Sequence, residues 1–410
     1  MNILHITPHL GGGVGKAHAA LRSALPPEIE QTFALLEAPR DRRYADALMR
    51  GGARVVVADS LDYVMRLAHK ADIVQFEYWN HPRLFECLAR CPFPPMRSVF
   101  WSHVSGLGKP FIPPGLIEQA MRFVFTSDAS RANPSLAHVS EEARARTAVV
   151  NSGFGFDAAG LPLRMRRAKP AIAYLGTVDF VKMHPGFFDA IDRLAGADIR
   201  VPVWGALEPS GEVAARARAM HHPERIVFRG QTAEPARALS EADIFFYPLQ
   251  RDHYGTAENA LIEAMSLGLV PVVLDNAAER AIIRDGETGF VARSIEEAAS
   301  LLDMLLVSPP LRERVARATA AHIAATRTPK QSAQDFMILW LGLIAKSPQA
   351  GDFARAIGAS PAEWYQATQH LPGTSWQPPR NDTARQRSKG TLAHFESVFT
   401  GDASLARLRG

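Results

Sequence analysis

Two glutamates, Glu258 and Glu263, stand five residues apart in the stretch HYGTAENALIEAMSLGLVPVVLDN. Glu263 is flanked by Leu261, Ile262, Ala264 and Met265. A carboxylate in such company needs a partner. Ionised, it accepts two hydrogen bonds side by side, which suits the adjacent hydroxyls of a ribose. Glu258 falls at the start of the same helix-forming run, where an acid also favours the helix N-terminus. The plainer reading, two solvated helix acids, fits Glu258 better than Glu263.

A second chemistry-bearing stretch is LGGGVGK, residues 10–16. Four glycines in five positions, 11–15, are poor for packing and for chain entropy. Their use is close approach of backbone. The approach is either to an anion, through free N–H groups of Gly12, Gly13 and Gly15 at a helix start, or to neighbouring structure in a tight turn. The run is not a phosphate-binding P-loop: the first glycine would fall on Leu10, and Ala17 stands where Ser or Thr should be. Nor is it the dinucleotide fingerprint, because Lys16 takes the third glycine's place.

The elements that must position these residues alternate strand and helix. In the first third NILHIT, TFALLEA, ARVVVAD, ADIVQFEYW, RSVFWSH, RFVFTSD and TAVVNSG read as strands, with helical runs between most of them. The alternation restarts with AIAYLGT and continues through IRVPVWGA, RIVFRG, DIFFYP and VPVVLD. Such alternation predicts two Rossmann-like α/β domains with parallel sheets covered on both faces. The expected boundaries are an N-terminal domain over 1–156, a linker over 157–170 and a second domain over 171–328. A helix over 329–348 is expected to return to the first domain. An irregular, partly mobile tail with short helices is expected over 349–410. Ligands of open parallel sheets lie beyond the C-terminal strand ends, so functional residues are sought just after strands.

At this point EAMSLGLVPVVLDN resembles a signature of retaining glycosyltransferases with the GT-B fold, the glycosyl transferases group 1 (family four) class. The early glycine loop, His103 in FWSHVSG, the hinge-like VVNSGFGFD and the donor-loop-like YLGTVDFVKMHPG follow in the order that class shows. The similarity spans roughly residues 1–345. It implies sugar transfer from a nucleotide diphosphate sugar to a saccharide, lipid-linked or protein hydroxyl, as in cell-envelope glycan, polysaccharide or glycoconjugate synthesis. It implies retention of configuration, no cofactor and no obligatory metal. By the same resemblance Glu263 holds the donor ribose and Lys182 contacts the diphosphate. Gly12, Gly13 and Gly15 place N–H groups near that diphosphate, His103 touches the transferred sugar, and Glu258 reaches its hydroxyls. Backbone around Gly255, Thr256 and Ala257 joins the donor set. Catalytic duty falls on His103, Lys182 and Glu258.

Two departures matter. The class's first glutamate stands eight residues before the second, and Gly255 occupies that position. Its donor-loop arginine falls at Thr177. A charge at about 4 Å in an effective dielectric near 20 contributes on the order of 4 kcal/mol before desolvation, so a substitute is expected. Arg251 and His253, on the loop after DIFFYP, are the candidates. Tyr78, Trp79 and Trp101 are candidates to stack on an acceptor sugar, or else ordinary core aromatics.

Bulk properties exclude other classes. The 410 residues carry a net charge of +4 with 47% hydrophobic and 21% charged residues, at a sequence pI near 9.1. No aromatic-and-basic stripe of the nucleic-acid-binding kind is present. Cys87 and Cys91 lack the partners of a zinc set and read as buried thiols. No signal peptide is evident, and MILWLGLIA at 337–345 is about half a bilayer span. A cytoplasmic protein is expected, with peripheral contact at the inner membrane face left open. Rival functions share these features: a nucleotide-sugar epimerase or a phosphorylase, and a noncatalytic nucleotide-sugar-binding subunit of a glycosyltransferase complex.

Overall fold

The computed structural model describes residues 1–39, 41–156, 169–196, 198–251, 253, 255–376 and 390–409. The expected linker lies, except for its last two residues, outside them. The chain forms two compact units. Unit 1 comprises Met1–Ser152, Tyr254–Ala257 and Pro329–Gly410, and unit 2 comprises Gly153–His253 and Glu258–Thr328.

Unit 1 is built on seven parallel strands: β1 (Asn2–Thr7), β2 (Glu30–Leu35), β3 (Arg54–Val57), β4 (Ile73–Tyr78), β5 (Ser98–Ser102), β6 (Arg122–Phe125) and β7 (Thr147–Val149). Their order is β3-β2-β1-β4-β5-β6-β7. Unit 2 has six: β8 (Ile172–Leu175), β9 (Val201–Trp204), β10 (Ile226–Gly230), β11 (Ile244–Tyr247), β12 (Val270–Leu274) and β13 (Phe290–Ala292), ordered β10-β9-β8-β11-β12-β13 and again parallel. The central strands are buried on both faces, so SVFWS in β5 and VPVVL in β12 read as unbroken apolar runs rather than alternating ones. In each sheet the order reverses once, between β1 and β4 and between β8 and β11. A crevice opens at such a reversal, outside the C-terminal strand ends.

The helix Pro329–Ile344 is part of unit 1. It buries Phe336, Trp340 and Leu343, and Trp340 Nε1 donates to Gln75 Oε1 on β4 at 3.2 Å. Its other face exposes Ile338 and Leu341. Among the described residues no helix is long and apolar enough to cross a membrane. Cys87 and Cys91 are buried free thiols.

The segment after residue 349 carries the short helices expected of it, and these pack into the core of unit 1. Its described residues form the helices Phe353–Ile357, Pro361–Gln366, Leu392–Val398 and Ala403–Ala406. Phe353, Trp364, Tyr365, Phe395 and Leu405 enter the same hydrophobic cluster as Phe85 and Leu116 of the first half of unit 1. The physical reason is that a few large aromatics carry the burial while polar residues dominate the composition; much of TSWQPPRNDTARQRSKG lies outside the described residues. A reciprocal cap, Ser360 with Glu363, starts the second of these helices.

Trp364 is fully buried and donates through Nε1 to Gly358 O at 2.8 Å. Trp364→Ala is expected to lower unfolding stability by about 3–5 kcal/mol in a urea titration. A loss within about 0.5 kcal/mol would instead mark a segment that contributes nothing to the core.

Candidate functional site

In unit 2 the site is assembled from the loops after β8 and β11, at the strand-order reversal. The loop after β8 carries Lys182. It is stitched to the loop after β11: Gln250 N–H donates to Lys182 O at 2.8 Å, His184 N–H to Pro248 O at 2.9 Å, and Gln250 Nε2 to Phe180 O at 3.2 Å. Lys182 Nζ is thereby held 3.0 Å from Glu258 Oε2, a fully buried carboxylate. The Tyr247 hydroxyl donates to the same oxygen at 2.9 Å.

Glu258 adopts φ 41° and ψ 57°, the left-handed region. For a residue with a Cβ this costs on the order of 1–3 kcal/mol. The turn ends the preceding stretch and starts the helix Asn259–Ser266 while setting the carboxylate beside Lys182. Oε1 of Glu258 is buried without a hydrogen bond and lies 3.7 Å from His253 Nδ1. His253 Nε2 in turn lies 3.2 and 3.3 Å from the two oxygens of Glu279. Asn276 Nδ2 reaches Glu279 Oε1 at 3.4 Å and Leu249 O at 3.2 Å, tying Glu279 to the same loop. The result is a buried row in which bases and acids alternate: Lys182, Glu258, His253, Glu279.

This alternation sets the protonation states. Burial pushes the Glu258 carboxyl up, but the Lys182 ammonium and His253 outweigh it and hold it below its ordinary value. Burial pushes His253 down, yet its hydrogen bond to Glu279 and the charges of Glu258 and Glu279 raise it above the ordinary 6.5, with Lys182 opposing. Burial and the adjacent carboxylate push the Tyr247 hydroxyl well up, so it remains a donor.

The other expected donor residues are distributed. Glu263 is buried on the helix Asn259–Ser266. Thr177 follows β8, and its carbonyl accepts from the Tyr174 hydroxyl at 2.7 Å. Arg251 is exposed and takes no part in the row. Gly255, Thr256 and Ala257 group with unit 1, apart from Glu258; the Thr256 and Thr126 hydroxyls lie 3.1 Å apart there. Gly205 was not among the residues singled out. It follows β9 at φ +155°, and a Cβ on it would stand 2.2 Å from Gly176 O, so the backbone at these strand ends needs glycine.

In unit 1 His103 follows β5, and its Nε2 lies 2.8 Å from Glu77 Oε2 on β4. Of the early glycines, Gly15 is explained by packing: a Cβ would stand 2.0 Å from Leu10 O. Gly12 takes φ +61°, and the helix Gly12–Ala24 starts without a side-chain cap. Tyr78, Trp79 and Trp101 are buried and present no face for a sugar to stack on; each packs in the core, and Trp101 Nε1 donates to Val150 O at 3.0 Å.

His9, Glu37 and His81, at the ends of β1, β2 and β4, also converge. His9 Nε2 and His81 Nε2 stand 3.8 and 3.6 Å from Glu37 Oε1. Their Nδ1 atoms accept backbone N–H bonds, from Gly11 at 3.0 Å and Arg83 at 3.2 Å. Each neutral ring therefore carries its proton on Nε2. Both Nε2 atoms lie beyond hydrogen-bond distance of Glu37. The residues that sequence reasoning missed are Tyr247, Glu279, Glu77, His5 and His18. For His5, Glu77 and Tyr247 the available signal was a polar residue inside an otherwise apolar strand, in NILHIT, IVQFEY and IFFY; His18 and Glu279 lie on helices.

Residues 169–307 match the model of the glycosyl transferases group 1 family. This span holds Lys182, His253, Glu258, Glu263 and Glu279. No curated protein sequence matches the chain. Among solved structures, a glycosyltransferase from Rickettsia africae ESF-5 is 13% identical, with 84% of this chain and 99% of that one covered at a TM-score of 0.68. HepE of Anabaena, solved in complex with UDP-glucose, is 15% identical over 83% of this chain and 100% of its own, also at 0.68. Sucrose-phosphate synthase of Thermosynechococcus elongatus is 15% identical over 84% and 99%, at 0.63. The fold is thus the GT-B one, two Rossmann-like units with parallel sheets.

The raised His253 value has a definite sign. The folded state favours the imidazolium, so the stability it contributes is full below the ordinary 6.5 and is lost as pH rises through the raised value. Urea unfolding of the wild type and His253→Gln between about pH 6 and about pH 9 is expected to show the largest gap at the acid end. A gap that widens with pH would reverse the assignment.

Proposed function

We propose that the protein is a glycosyltransferase that moves a sugar from a nucleoside diphosphate sugar to a hydroxyl acceptor, with retention of configuration. The observation that carries this reading is the buried contact of Lys182 with Glu258 at the strand-order reversal of unit 2, inside the residues that match the group 1 model. Cleavage of the anomeric bond builds negative charge on the departing diphosphate. Preorganised positive groups aimed at that charge account for most of the acceleration.

Lys182 is the first such group. His253 is the second, standing in for the arginine that Thr177 replaces. The two carboxylates beside it favour the cation against the opposing effect of burial, whereas Arg251 is exposed. Two organic cations can neutralise the diphosphate, so the mechanism is proposed to be metal-independent. Glu258, released from Lys182 when the donor enters, accepts from the sugar hydroxyls, and Glu263 accepts from the ribose. His103 is the group in unit 1 proposed to touch the transferred sugar. One solved structure of this fold holds UDP-glucose, which makes uridine diphosphate sugars the first donors to try. The acceptor is a saccharide, lipid-linked or protein hydroxyl. The epimerase and binding-subunit alternatives are less favoured on the reading that Glu258 and His253 substitute for what the two sequence departures removed.

Specific donors are expected to raise the melting temperature by mass action, with UDP-glucose and UDP tested first. Lys182→Ala is expected to lower kcat about 100-fold with a smaller effect on donor KM. Glu263→Ala is expected mainly to raise donor KM, about tenfold for a lost charge-assisted hydrogen bond. Near wild-type kinetics in both variants would remove the assignment.

A further inference from the structure

Glu77 is wholly buried in a strand whose six residues are all buried. Four side chains from four segments converge on its carboxylate. Oε1 is 2.9 Å from His5 Nδ1 of β1 and 3.0 Å from Gln75 Nε2 of β4. Oε2 is 2.8 Å from His103 Nε2, after β5, and 2.9 Å from His18 Nε2 on the helix Gly12–Ala24. An outer layer holds these in turn. Gln31 Nε2 of β2 lies 2.9 Å from His5 Nε2, Arg22 reaches Gln31 at 3.5 Å, and Trp340 donates to Gln75.

Stability alone gives no account of this. Burying a carboxylate is costly, and replacing buried ion pairs by apolar residues of like volume is often neutral or stabilising. Phe76, Tyr78 and Phe100, close by in the chain or on the adjacent strand, show that the core can be filled with apolar rings. What a carboxylate adds is hydrogen-bond acceptors on both oxygens. An amide donor at His5 Nε2 leaves the His5 proton on Nδ1, directed at Oε1. Burial lowers the His5 value to about 4, so this ring stays neutral. Glu77 itself is held well below its ordinary value: burial pushes it up, and His18, His103 and His5 outweigh that.

We propose that Glu77 is a positioning residue that fixes the His103 imidazole with its proton on Nε2 and, through His18, ties the helix opened by the glycine turn to the same carboxylate oxygen. The inference rests on the proposed contact of His103 with the transferred sugar. A carboxylate that accepts from one ring nitrogen decides which tautomer the other nitrogen presents. Since β4 lies between β1 and β5 in the sheet, it is the strand from which one side chain can reach both neighbours.

Glu77→Gln tests this because the amide has one acceptor oxygen where the carboxylate has two. The groups at the other oxygen then meet an N–H donor, and a ring there must change tautomer or move. The assay is nucleoside diphosphate release from UDP-glucose, UDP-galactose, UDP-N-acetylglucosamine, GDP-mannose and ADP-glucose with water as acceptor. The expected result is a folded variant with kcat lower by about 100-fold, donor KM within threefold, roughly, of wild type, and a displaced pH profile. Glu77→Asp, which keeps the charge, is expected to recover part of the loss. Imidazole nitrogen NMR of the wild type is expected to show His103 protonated on Nε2 and His5 on Nδ1. Unchanged kcat and pH profile in a folded Glu77→Gln would overturn the inference. If the variant does not fold, the wild-type spectrum decides, and a His103 ring protonated on Nδ1 alone overturns it. A wild type inert toward all five donors removes the proposed function and this inference with it, an outcome distinguished by the wild type's own inactivity.

Discussion

A carboxylate can be kept in a protein interior only beside groups that offer it protons or positive charge. Both units obey that constraint at the ends of their central strands. In unit 2 Glu258 is held by Lys182 and Tyr247, with His253 and Glu279 extending the row. In unit 1 Glu77 is held by three imidazoles and an amide. These are the places where the cores are least like hydrocarbon, and the apolar sheets around them supply the rigidity that keeps such contacts short.

The two arrangements reach burial by different local means. Glu77 sits in an unremarkable strand, and its partners come to it from neighbouring strands and from the helix Gly12–Ala24. Glu258 must be turned inward by the backbone itself, through a left-handed residue that is not glycine. Strain of that kind persists only when the surroundings over-determine it. Here the helix that follows, the Tyr247 hydroxyl and the Lys182 ammonium all hold the same residue. Removing the strain with glycine would also remove the side chain the strain positions, so the two functions of this residue cannot be separated by a simple substitution.

Much of the fold was legible because buried parallel strands are long apolar runs between helical periods. NILHIT, IVQFEY, SVFWS and VPVVL all became strands, whereas β13, Phe290–Ala292, was not among the runs read as strands. Lys182, Glu258 and His253 were legible as candidates from their motif and their places after strands. Their mutual contact was not, because it depends on one backbone angle at Glu258. His5, His18, Glu77 and His103 are far apart in sequence, and only the parallel order β1-β4-β5 brings them together. Glu279 was not read as a site residue in the sequence; its burial is apparent only from the structure. The short helices after residue 349 were legible, but their place in the core was not, because composition averages over residues while a core is made by the few large ones.

One feature of the chain path governs how the molecule can be made. The core of unit 1 draws on Met1–Ser152 and on Pro329–Gly410, with unit 2 encoded between them. During synthesis the N-terminal sheet therefore leaves the ribosome without Trp340, Trp364 or Phe395, all of which it finally encloses. Unit 2 is nearly continuous in sequence, so the strands before Ser152 complete their core only with helices that lie on its far side along the chain.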